Sequence, residues 1–289
     1  MKKTWVFLIA LLLYLTSCES DKVGPGTEIL FKSGKDFIFR YSDFAFYDSS
    51  AYIFYFKTNH PAIQVDRTTS FVVMAGGEEV YQGFFLPGYS SYLPAGPFIF
   101  SSPSFYPDYV LKIETMILKN NIDPRNDFRF ISTLRENDLL HGGLSVVIDS
   151  VVSDGSDLTF AFTITSKDQS DLLIIDPDKT GINLYHYFTN GLMLRDIKDS
   201  ATVFESTIVH QEPDPWNGWK PEWLSVIRPG ESKTFVLNYP LLSPLEPGNY
   251  RAHFEFPGMH YQVSKEQLIQ DNGRIWLGGV NTVKKILIQ

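Results

Sequence analysis

The stretch best suited to recognition chemistry is Glu212-Pro213-Asp214-Pro215-Trp216-Asn217-Gly218-Trp219-Lys220-Pro221-Glu222-Trp223. Three tryptophans fall within eight residues, interleaved with proline and glycine. With Pro215, Gly218 and Pro221 interleaved, Trp216, Trp219 and Trp223 cannot all sit on one regular strand or helix. Two outcomes stay open. Either the indoles plug a core from a long loop, or they stand in solvent. In solvent a flat ring stacks on the C–H face of a sugar while Asp, Asn and Glu meet hydroxyls, or it anchors a protein partner. Tyr89 and Tyr92, with Phe105 and Tyr106, pose the same choice in Leu86 to Pro107. That segment is crowded with Pro, Gly, Ser and aromatics, and at roughly twenty residues it reads as a long shaped loop.

Catalytic and metal chemistry find less support. The histidines are His60, His141, His186, His210, His253 and His260, and no pair has the H-x-H, H-x-x-x-H or H-E-x-x-H spacing of a zinc site. His186 alternates with Leu184 and Phe188, which predicts a strand face and a histidine hydrogen-bonded within a sheet. Asp176-Pro177-Asp178-Lys179-Thr180-Gly181 has the oxygen spacing of a calcium loop, but Tyr187 stands where the closing Glu belongs. A tight turn built by Asp, Pro and Gly explains it better. No G-x-S-x-G is present. The 33 carboxylates leave open a glycosidase-type pair, because such a pair is defined by distance and not by spacing in sequence. No catalytic residue, metal or cofactor is assigned.

Cys18 is the only cysteine. Lys2 and Lys3 precede an uncharged apolar run, Trp5 to Leu15. As a helix that run would be about 16 Å long, half of a bilayer core, and the order of charge, short apolar run and small residues is that of a secretory signal peptide. Leu15-Thr16-Ser17-Cys18 resembles, residue for residue, the lipobox of bacterial lipoproteins. The resemblance implies a signal peptide over 1–17, a diacylglyceryl thioether on Cys18, and a tether over 18–28 that holds the chain to a membrane. Glu19-Ser20-Asp21-Lys22 is similar to the acidic post-cysteine segment of Bacteroidota-type lipoproteins. The address these features predict is the cell envelope, at the outer membrane.

Loss of the signal segment would remove two lysines and carry the formal charge from −8 to about −10. A chain this acidic lacks the basic face that nucleic acid requires. Aromatic content of 15% supports a substantial core, which must stand without an intrachain disulfide.

The elements predicted to carry these residues are mainly β: two β-sandwich-like domains joined by a short helix. Residues 29–120 form the first. Ala51 to Lys57 is dense in aromatics, Phe71 to Met74 ends at the hairpin signal Gly76-Gly77, and Tyr109 to Ile117 alternates as a half-buried strand. In the connector, 121–142, Asp123-Pro124 opens a single helix to Asn137. In 143–289, Leu144 to Val152 and Leu158 to Thr165 are strands, Phe235, Leu237 and Tyr239 share a face, and so do Tyr250, Ala252, Phe254 and Phe256. Tyr250, just after Pro247-Gly248, resembles the tyrosine corner of immunoglobulin-like folds. The spacing is similar to bacterial Ig-like modules of the proteinase-inhibitor type, an architectural likeness that carries no function.

The reading that follows is a non-catalytic, lipid-anchored envelope protein in a structural or binding role. Its partners are the membrane through Cys18 and a glycan or protein through aromatic loops. The alternatives are a glycan-acting hydrolase with paired carboxylates, or a protease-inhibitor-like Ig module.

Overall fold

Ile53, Phe54, Tyr55 and Phe56 form a strand in which every residue is buried. A strand facing solvent on one side would bury only alternate residues, so this one has protein against both faces. The computed structural model shows why. It describes residues 28–33, 37–58, 65, 67–101, 106–116, 122–259, 263–270 and 273–289. Two apolar cores lie within them. Phe54 and Phe56 point into one, built from residues between Leu30 and Leu139. Ile53 and Tyr55 point into the other, with Phe160, Phe162, Tyr239, Phe254 and Trp276. The neighbouring strand Val110–Lys112 divides in the same way, with Val110 on the second core and Leu111 on the first.

These strands belong to a four-stranded sheet in the order Leu140–His141, Phe44–Asp48, Ile53–Phe56, Val110–Lys112. It is a partition between the two halves. On one side lies a six-stranded sheet in the order Phe37–Arg40, Ile29–Ser33, Thr69–Ala75, Glu78–Leu86, Pro97–Phe100, Glu114–Thr115. The chain passes between these two sheets at Ile113: Val110 to Lys112 pair with Tyr55 to Ile53, and Glu114 and Thr115 pair with Phe98 and Pro97. The alternating strand predicted from Tyr109 to Ile117 is therefore two short strands, and Ile117 lies outside the described residues.

Beyond the partition, the second core is enclosed by three sheets. Leu144–Ser153, Asp157–Ser166 and Ser232–Pro240 form the first, and the first two match their predicted strands closely. Leu224–Ile227, Asp171–Ile175, Gly273–Ile275 and Ile269–Gln270 form the second. Thr202–Glu205, Leu192–Asp196, Gly248–Phe256 and Val280–Ile288 form the third. Phe160 and Phe162 of the first sheet meet Phe254 of the third at ring separations of 4.8 and 4.6 Å, so the two sheets stack as a sandwich. The fold is mainly β and rich in sandwich packing, as predicted. The Ig-like detail is not established by three sheets. Tyr250 does place its hydroxyl as a corner tyrosine would, donating to Glu246 O at 2.6 Å.

Three local expectations are corrected. The helix from Pro124 to Asn137 is divided: a 3-10 turn, Pro124–Asn126, is followed by an α-helix, Phe128–Glu136. The cause is a second cap, since Asp123 accepts from Arg125 N and Asp127 accepts again from Arg129 N. The segment Leu86 to Pro107 is not loop throughout, because Pro97–Phe100 pairs parallel with Phe84 to Leu86. His186 is not on a strand. It lies in the helix Ile182–Phe188, and its Nδ1 sits 2.8 Å from Ile182 O, one turn back. Burial pushes its imidazole pKa down.

Candidate functional site

The three tryptophans go three ways. Trp223 is buried, in a 3-10 turn, Pro221–Trp223, with the Phe188 ring at 6.3 Å. Its carbonyl accepts from Asp176 N. Trp219 is half-buried against the second core, with Nε1 3.4 Å from Gln267 Oε1. Trp216 is 69% exposed. Trp223, a candidate ligand-binding residue by sequence, is therefore corrected to a buried core residue, while Trp219 is partly covered and keeps part of its surface in solvent.

Trp216 stands at the tip of a turn. Gly218 N donates to Pro215 O at 2.7 Å, and Asn217 has φ +58°. Asparagine tolerates that left-handed conformation better than most residues. The Asp214-Pro215 peptide is cis. Asn217 Oδ1 accepts from Tyr187 Oη at 2.8 Å, which fastens the turn to the helix Ile182–Phe188. The earlier part of the loop is fastened to the same helix: Gln211 N donates to Asn183 O, and Asn183 Nδ2 donates to Val209 O. His210 lies 6.2 Å from the Tyr187 ring. The result is one displayed indole on a pinned loop, with amide, phenol and imidazole groups beside it and the exposed carboxylates Glu212 and Asp214 in the same stretch. Tyr187 was not signalled by sequence as a neighbour of this loop, because 29 positions separate it from Trp216 and nothing local links them.

Tyr89 and Tyr92 are exposed at 75% and 63%, on the loop before Pro97–Phe100. Ser90 shapes that loop, donating to Tyr92 O and accepting from Tyr92 N. They belong to the other half of the chain from Trp216. Phe105 and Cys18 lie outside the described residues, as do the signal segment and the tether up to Thr27.

The Asp176 turn is occupied by protein. Asp176 caps the helical turn Pro177–Thr180, accepting from Asp178 N, and its carboxylate also meets Ser225 Oγ and Lys233 Nζ. Burial raises its pKa, but these donors outweigh burial and hold it below the usual carboxylate value. Among the described residues no group of three or more His, Cys, Asp or Glu is placed to hold a metal ion.

Carboxylates converge elsewhere as well. Asp48 and Asp168 both reach Arg274 Nη2, at 2.6 and 2.8 Å, but their side chains are fully buried and engaged, so neither can meet a substrate. Near Tyr106, Lys112 Nζ bonds the Tyr106 hydroxyl at 2.6 Å and Glu114 at 3.1 Å. Glu255 is exposed as a residue, yet protein around its carboxyl pushes its pKa up, with Lys112 opposing and Glu114 adding to the rise.

No protein-family model matches the chain, and no curated protein matches it significantly. A β-glucosidase from Listeria innocua, solved with glucose, aligns with 50% of this chain and 16% of its own, at 12% identity and a TM-score of 0.22. The β-glucosidase 3B from Thermotoga neapolitana, solved with α-D-glucose, aligns over the same shares at 13% identity and a TM-score of 0.20. Likeness at these scores carries no argument about fold or activity.

Proposed function

We propose that this chain is a lipid-anchored, non-catalytic protein of the cell envelope, and that it binds a glycan or protein ligand through the Trp216 loop. The observation that carries the binding half is Trp216 itself, 69% exposed on a turn fastened through Asn217 to Tyr187. A large aromatic held in one position loses little freedom when a ligand covers it, which favours affinity. The neighbouring Asn217, Glu212 and Asp214 offer partners to hydroxyl or amide groups. The anchoring half is supported by Leu15-Thr16-Ser17-Cys18 at the end of an apolar run, with the outer membrane as its address. Among the described residues no helix is long and apolar enough to cross a membrane.

The test pairs Trp216→Ala with Cys18→Ser. Trp216→Ala should lose ligand on a glycan array or in a surface pull-down while keeping its cooperative melt. Cys18→Ser should lose incorporation of a fatty-acid probe. Full ligand capture by Trp216→Ala removes the binding half, and label that persists in Cys18→Ser removes the anchor. Release of free sugar from a glycan, abolished in Glu114→Gln or Glu255→Gln, would replace binding with hydrolysis.

A further inference from the structure

Three long strands lie at sheet edges: Leu144–Ser153, Val280–Ile288 and Ser232–Pro240. The first two run beside each other, and Lys284 Nζ donates to Ile148 O and Asp149 O at 2.9 and 2.8 Å. The third has no such cover. It pairs with Asp157–Ser166 alone, in a register that runs unshifted from Asp157 opposite Pro240 to Thr165 opposite Ser232.

The phase of that ladder fixes which groups are free. Ser166 N donates to Glu231 O and Leu241 N donates to Ser156 O, one at each end. Bonded and non-bonded pairs alternate along an antiparallel ladder. The odd-numbered residues of the strand therefore bond inward to Asp157–Ser166. Thr234, Val236 and Asn238 turn their N–H and C=O groups to the open side, where the described residues supply no partner.

We propose that this edge is a pairing surface for a second copy of the chain, antiparallel about a two-fold axis at Val236. Val236 then faces its own mate, Thr234 faces Asn238, and Ser232 faces Pro240. Pro240 has no N–H, so each Ser232–Pro240 pair forms a single bond, from Ser232 N–H to Pro240 O. About eight backbone hydrogen bonds would form.

The side chains are self-complementary about the same axis. Thr163 Oγ1 gives its one proton to Asp149 Oδ2 at 2.7 Å. In the 2.7 Å contact between Thr163 and Thr234, Thr234 must then be the donor, so its oxygen keeps lone pairs to accept with. Asn238 Oδ1 accepts from Thr159 Oγ1 at 2.9 Å, which leaves its NH₂ to donate. Across the axis each Asn238 amide meets the other copy's Thr234 hydroxyl. No charged residue lies between Thr234 and Pro240, and Lys233 is engaged with Asp176 on the other face, so two acidic chains meet on a neutral seam. Val236, 52% exposed, is the side chain that pairing covers.

The test uses the full chain in a Cys18→Ser background, which is otherwise free of cysteine. Bonded antiparallel partners sit about 5.5 Å apart at Cα, within disulfide reach, so Val236→Cys should oxidise to a covalent dimer. Val152→Cys, 58% exposed on the same sheet face, should form no covalent dimer. Val236→Lys opposes like charges at the axis and should shift sedimentation of the wild-type dimer at least about tenfold toward monomer, with an unchanged melt. A monomeric wild type, or equal cross-linking at Val152→Cys, overturns the proposal. So does a Val236→Cys adduct joined to a different protein in cell extracts.

Discussion

Arg274 and Asp48 meet at 2.6 Å across 226 positions of sequence, one on a strand of the second half and the other on the partition sheet. The same Nη2 reaches Asp168 at 2.8 Å, and Asp168 holds His141 Nδ1 at 3.0 Å. The guanidinium lies 4.9 Å from the Phe46 ring and 5.6 Å from the Tyr55 ring. One cation thus joins the two halves where their cores adjoin.

Replacing that cation strands two buried carboxylates. Arg274→Met should cost about 3–5 kcal/mol, because breaking a buried pair leaves its partners charged and unsolvated. Urea unfolding reads this directly. A cost near that of an exposed ion pair, under about 1 kcal/mol, would mean the carboxylates find other partners.

Acid should reach the same cluster through Asp168. Burial raises its pKa, but the hydrogen bond from His141 and the charge and hydrogen bond of Arg274 outweigh burial and hold it well below the usual range. A carboxyl depressed in the folded state contributes stability that is complete above its unfolded pKa of about 3.9 and is lost as pH falls toward the folded value. Urea midpoints taken downward from about pH 5 should therefore decline, and Asp168→Asn should make that decline shallower. An acid limb of equal slope in both proteins would assign it to other carboxylates.

Sequence pattern reached the fold where one face of a strand is buried. Leu158, Phe160, Phe162 and Ile164 are all buried at period two, and so are Tyr250, Ala252, Phe254 and Phe256. It did not reach the partition sheet, since the run Ile53 to Phe56 reads as a strand without saying that two cores flank it. The strand Pro97–Phe100 was hidden because its parallel partner, Phe84 to Leu86, is not adjacent in the chain. At the candidate site the tryptophans were visible as residue types. Their fates were not, because a loop has no period from which to read a buried face. Trp223 is set inward by packing against Phe188, and only the fold could reveal that.

Gly143 tests how tightly the halves are joined. Its φ is +61°, a conformation costly for any residue with a Cβ. A Cβ there would also fall 2.0 Å from Ser50 Oγ and 2.2 Å from Asp48 Oδ1. Those atoms are not free to withdraw: Ser50 Oγ donates to Asp48 Oδ1, and Arg274 holds Asp48 Oδ2. Gly155 isolates the backbone contribution, because its φ is +94° and a Cβ would meet nothing within 4 Å. Gly155→Ala should cost about 1 kcal/mol, the backbone strain alone. Gly143→Ala should cost at least about 2 kcal/mol more, since it adds overlap with a locked carboxylate. Equal losses in the two variants, measured by urea unfolding, would show that Asp48 and Ser50 yield easily and that the join between the halves is looser than its hydrogen bonds imply.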